Sequence, residues 1–98
     1  MPTLLVAVTA STYTMADEIS GQQIFKQKLR RKCGFSGVKF AKSHTQMEWE
    51  NIYENGLFPQ ETKKICPRVK LEMIQDDWWV DLYEFANAYA SDGAVPSC

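Results

Sequence analysis

The stretch Cys33-Gly34-Phe35-Ser36-Gly37 sets a thiol where chemistry is conceivable. Arg30, Arg31 and Lys32 precede it, and positive neighbours favour the nucleophilic thiolate. The apolar spacing upstream, however, puts Cys33 at the C-terminus of a helix, where the dipole disfavours negative charge. A thioredoxin-type pair would need a second cysteine where Ser36 stands. The remaining thiols are Cys66 and Cys98, and all three pairings are open. Cys33 with Cys66 closes a loop across the middle of the chain, worth about 3–4 kcal/mol on the loop-entropy model. Cys98, the last residue, can reach Cys66, Cys33 or a second molecule, the last giving a disulfide-linked dimer.

His44 is the single histidine, so a metal or catalytic role would rest on one imidazole. Its place just before Thr45 reads as polar loop surface. There is no C-x-x-C, no H-x-x-x-H, no glycine-rich phosphate loop and no G-x-S-x-G elbow. Asp76, Asp77, Asp81 and Glu84 read as a solvated helix face, because paired-acid hydrolysis needs an enclosing cleft that so short a chain hardly provides. These features predict neither an enzyme nor a metal site.

Residues 1–16 carry no charge, contain an apolar run from Leu4 to Ala10 and end on Thr14-Met15-Ala16, as a signal peptide would. The expectation is a single domain over 17–98, periplasmic or secreted after cleavage, in a compartment that permits a disulfide. The net charge of −1 gives no global field for nucleic acid. No segment of this domain is long and apolar enough for membrane insertion. Locally the charge is uneven, with a basic segment from Lys26 to Lys42 and an acidic one from Glu72 to Glu84. These are either two solvated faces or, on the basic side, a docking patch for an acidic protein partner. Lys26, Lys28, Arg30, Arg31 and Lys32 are the candidate partner-binding residues.

The elements that must position these groups are helical. Ser20 and Gln23 form a capping-box pattern ahead of Ile24, Phe25, Leu29 and Cys33, and Gly34 is a natural stop. Residues 34–44 read as a loop with Phe35, Val38 and Phe40 turned inward. Thr45 and Glu48 form a second capping box before Met47, Trp49, Ile52 and Tyr53, closed by Asn55-Gly56. Pro59 can open a short helix that Pro67 terminates. Val69, Leu71 and Met73 alternate too briefly for a sheet and read as an extended connector. Gln75 or Asp76 then caps a last helix through Trp78, Trp79, Leu82, Phe85, Ala86 and Tyr89. The adjacent Trp78 and Trp79 cannot point the same way, so one of them is a candidate to face solvent or a partner. The pattern predicts an all-α bundle of three to four helices.

Gly21-x-x-Ile24-Phe25, Met73 and the run Leu82-Tyr83-Glu84-Phe85-Ala86-Asn87-Ala88-Tyr89 together resemble a small class I cytochrome c. Over nearly the full length the chain is also similar to short exported bacterial proteins of cytochrome-c-like type. That likeness is carried by Cys33-Gly34, Gly37-Val38-Lys39-Phe40-Ala41, His44-Thr45, Glu48-Trp49, Ile65-Cys66-Pro67 and Val95-Pro96-Ser97-Cys98. The resemblance implies first and last helices packed across each other through the glycine and aromatic positions. It brings no settled activity. The haem motif C-x-x-C-H is absent, since Cys33, Ser36 and Gly37 stand in its places, so CGFSG looks like a vacated site filled by Phe35, Phe40 and Trp49. The segment between Phe25 and Cys33 is about one turn longer than the family's, with the helical phase kept.

The implied role is a non-enzymatic binding or accessory protein without a cofactor, held by a disulfide, in a periplasmic redox or respiratory setting. One alternative is an electron carrier with haem held by Cys33, His44 and Met73. The other is a thiol–disulfide redox protein using Cys33 with Cys66 or Cys98.

Overall fold

In the computed structural model, which describes residues 20–94, helix α1 comprises residues 20–24, a π-helical turn Phe25–Leu29 and a last α-helical turn Arg30–Cys33. Ser20 is itself helical, so the helix start, with the expected signal peptide 1–16 and Cys98, lies outside the described residues. In the π turn the Arg30 N–H donates to the Phe25 carbonyl, an i→i−5 bond that takes up one residue more than an α turn. Phe25 and Leu29 still bury together, at 1% and 0% exposure. The expectation of an unbroken α-helical phase is corrected here. Gly34 ends the helix at φ 83°, a left-handed conformation that costs a glycine little.

Helix α2, Gly37–Ala41, replaces the loop expected there. The Ser36 hydroxyl accepts from the Lys39 N–H at 3.2 Å, and this cap starts a helix too short to show an apolar period. Helix α3, Gln46–Glu54, has the full Thr45/Glu48 capping box expected of it. Helix α4, Phe58–Ile65, carries proline in its first turn and ends at Cys66. The connector is not wholly extended, because Leu71–Met73 forms a 3-10 turn between extended Lys70 and Ile74. Helix α5, Trp78–Ala88, starts after Asp77, one residue beyond the expected caps, and the Asp77 side chain makes no capping bond.

Among the described residues there is no strand, and the five helices pack as one all-α assembly. The first and last helices meet at Gly21. A Cβ there would lie 2.7 Å from the Phe85 Cβ and overlap the Asp81 carbonyl oxygen, so only glycine permits this approach. Gly37 meets Phe85 from the other side, where a Cβ would stand 2.8 Å from its ring. Helix α5 also packs against α3. Gln46 and Asn87 exchange side-chain-to-carbonyl bonds at 3.0 and 3.1 Å, and Asp92 accepts the otherwise orphaned Gln46 N–H at 2.8 Å.

Candidate functional site

The centre of the bundle is filled by rings. Phe25 lies 5.2 Å from Phe40, Phe40 5.4 Å from Trp49, and Trp49 5.4 Å from Phe58, measured between centroids. All four are 1% exposed or less. Such tilted and edge-on contacts are the arrangement that aromatic quadrupoles favour. The Trp49 indole N–H donates to the Ala41 carbonyl at 2.8 Å, which satisfies the one polar atom on the largest buried side chain. Phe35, expected to fill the same space, is only partly buried and carries the Lys39 ammonium over its ring.

Cys33 is bonded to Cys66, which selects one of the three pairings left open by the sequence. Cys66 is 1% exposed, whereas Cys33 is partly exposed. His44 is not plain loop surface. Its Nε2 lies 2.7 Å from Glu61 Oε2 and, because a carboxylate only accepts, this nitrogen donates. Its ring stands edge-on to Trp49 at 4.8 Å, and Nδ1 faces Glu48 at a long 3.4 Å. The Thr45 backbone N–H donates to Glu48 and holds that carboxyl below its usual range. His44 therefore ties the start of α3 to α4. Met73 lies in different surroundings, 68% exposed on the 3-10 turn.

The disulfide has a wider consequence for charge. The segments that it joins, 26–33 and 63–70, hold five and four of the chain's 11 lysines and arginines. Between α1 and the connector lies a groove of about 480 Å³. Lys26, Lys28, Arg31, Lys32 and Lys70 line it, with Gln27, Val69, Met73 and Ile74, and none of these is a carboxylate. Comparison with protein-family models, characterised proteins and solved structures returns no match.

Of the five cations singled out in the sequence, four reach the groove, and Arg30 lies in the adjoining depression with Lys26, Arg31, Gly34 and Phe35. Sequence reasoning missed Lys70, Val69 and Ile74. Their only signal was position, a few residues beyond Cys66, which becomes informative once Cys66 is paired with Cys33. The connector is fixed by Lys63, whose ammonium donates to the Val69 carbonyl at 2.7 Å. Lys28 also sits over the Trp78 ring, 5.6 Å from its centroid, while Trp79 turns instead to Phe58. The tryptophans diverge as expected, and both are partly buried. Among the described residues no helix is long and apolar enough to cross a membrane, and no cluster of three or more metal-ligating groups forms.

On the opposite charge balance, Tyr83 stacks on Tyr53 at 4.1 Å with Glu50, Glu84 and Glu54 near it. Burial, then these carboxylates, push its hydroxyl up from 10.0 to about 12. Because the raised value favours the neutral form in the folded state, this contribution is fully present below pH 10 and is lost as pH rises towards about 12. Denaturant midpoints measured across that window should fall. In Tyr83→Phe the fall should be shallower, and tyrosinate absorbance of the folded wild type should retain one late-titrating phenol.

Proposed function

We infer that the chain is an exported, non-enzymatic binding or accessory protein of cytochrome-c-like type that carries no covalent haem and recognises an anionic partner through the basic groove. The observation that carries this reading is a recess lined by five cations and no carboxylate, held open between two disulfide-joined segments. Such a lining focuses a positive local potential although the whole molecule carries −1. The close crossing of α1 and α5 at Gly21 supports the likeness to a cytochrome c, whose first and last helices meet in this way. The donor set argues against haem. The Cys33 sulfur is bonded to Cys66, His44 is bound to Glu61, and Met73 projects from the surface. These residues do not fit the group, and aromatic rings fill the core where the likeness would place it. The thiol-redox reading is weakened by the near-complete burial of Cys66, which leaves only the partly exposed Cys33 sulfur open to attack.

The test is a residue-resolved NMR titration of protein isolated from a haem-competent periplasm, with polyglutamate at low salt and non-reducing intact mass on the same sample. The expected result is shifts concentrated at residues 26–32 and 69–74 and a mass without haem. Shifts spread over the whole surface or absent, or a haem-sized addition in the mass, would overturn the reading.

A further inference from the structure

The groove is more selective than a basic patch. Lys26, Gln27 and Lys28 belong to the π turn of α1 and all three line it, together with Arg31 and Lys32 from the next turn. An i→i+5 ladder holds more residues per turn than an α-helix, so consecutive side chains fan over a narrower arc. The bulge thus gathers onto one wall residues that a regular helix would spread further round its circumference. Across from them the connector supplies Lys70 and three apolar side chains. Val69 and Ile74 are 2% and 5% exposed, so only their edges meet the recess, whereas Met73 is 68% exposed. A methionine is unbranched and polarizable and adapts to apolar side chains of different shape.

We propose that this groove docks a linear acidic peptide segment of a partner protein, its carboxylates on Lys26, Lys28, Arg31, Lys32 and Lys70 and one apolar side chain between them against Met73. The proposal rests on the reading of the groove as a recognition surface and names its ligand. Charge complementarity selects the carboxylates, and Arg31 can take one of them in a two-pronged contact that lysines cannot make. The recess selects the shape. About 480 Å³ accommodates a few side chains of an extended strand, while a flat anionic bilayer would touch only the rim. Met73 on the connector wall adds a requirement that a plain polyanion does not meet. Because the molecule as a whole is slightly acidic, the attraction is local and screened within about 10 Å at ordinary salt.

The experiment uses the full disulfide-bonded chain at low salt and fluorescence anisotropy of labelled peptides. The probes are a short peptide with carboxylates on both sides of a central leucine, its glycine-centred counterpart, and phosphatidylglycerol vesicles. The leucine peptide should bind about tenfold more tightly than the glycine peptide, the gain expected from partial burial of one aliphatic side chain. Lys70→Glu should weaken both peptides about tenfold, and Met73→Gln should reduce the leucine advantage to about twofold or less. Both positions are exposed, so folding is not at stake. Equal binding of the two peptides would overturn the peptide proposal while leaving an anion-binding groove. Vesicle binding without peptide binding would overturn it in favour of a lipid surface, and low-salt self-association that the leucine peptide fails to displace would make a second copy the occupant. Failure of every acidic probe to bind would overturn the proposal together with the reading beneath it.

Discussion

Trp49→Ala should cost about 3–5 kcal/mol, the range for removing a large aromatic side chain from a core that cannot collapse around the gap. Trp49 is 0% exposed and touches Phe40, Phe58 and His44, so the gap would open at the centre of the ring array. The Ala41 carbonyl would also lose its donor. Since a whole domain is commonly stable by only about 5–15 kcal/mol, much of the population should be unfolded at moderate temperature. Urea titration followed by far-ultraviolet circular dichroism measures this directly. Trp49→Phe, which keeps most of the volume but not the indole N–H, should cost about 1–3 kcal/mol, chiefly through the stranded carbonyl. If Trp49→Ala cost less than about 1 kcal/mol, the ring array would not be the structural centre.

The second large effect is expected from the disulfide. Replacing Cys33 and Cys66 together by serine should destabilise by more than the about 3–4 kcal/mol that loop closure across a sequence separation of 33 residues contributes. The cost should exceed that of the entropy alone, because reduction also frees two basic segments that repel each other. Part of the loss should therefore be recovered at high salt in the serine variant, as screening weakens that repulsion. Denaturant titrations of both proteins at low and high salt give the comparison. A loss independent of salt would assign the whole effect to loop closure.

Local chemistry made some elements legible. The Thr45/Glu48 capping box announces α3 because its two hydrogen bonds are made within one turn, and nothing distant has to be known. Gly34 and Pro59 are legible for the same reason. Helix α2 was not, because five residues opening on glycine show no period, and its one cue was Ser36, already noticed as a cysteine that was missing. The π turn was hidden by its own spacing. Phe25, Leu29 and Cys33 recur every four residues, which suits an α-helix as well as one with an added residue.

The site divides in the same way. The cations of α1 stand together in the chain and could be read there, whereas Lys70 and Met73 join them only through folding. His44 looked like surface because both of its carboxylates come from helices, and Glu61 lies 17 residues away. A tertiary hydrogen bond of this kind leaves no periodic trace.

The Cys33–Cys66 bond also gives the molecule a covalent topology that helix packing alone does not. Helices α2, α3 and α4 lie inside a closed ring, and α1 and α5 are arms leaving it at the two cysteines. The arms clasp each other at Gly21, and α5 reaches back into the ring through Gln46 and Asn87. A single backbone cut at the exposed turn around Gly56 would therefore open the ring without separating its pieces. The chain can be nicked there and remain one molecule, with the basic wall of α1 still tied to the connector that faces it.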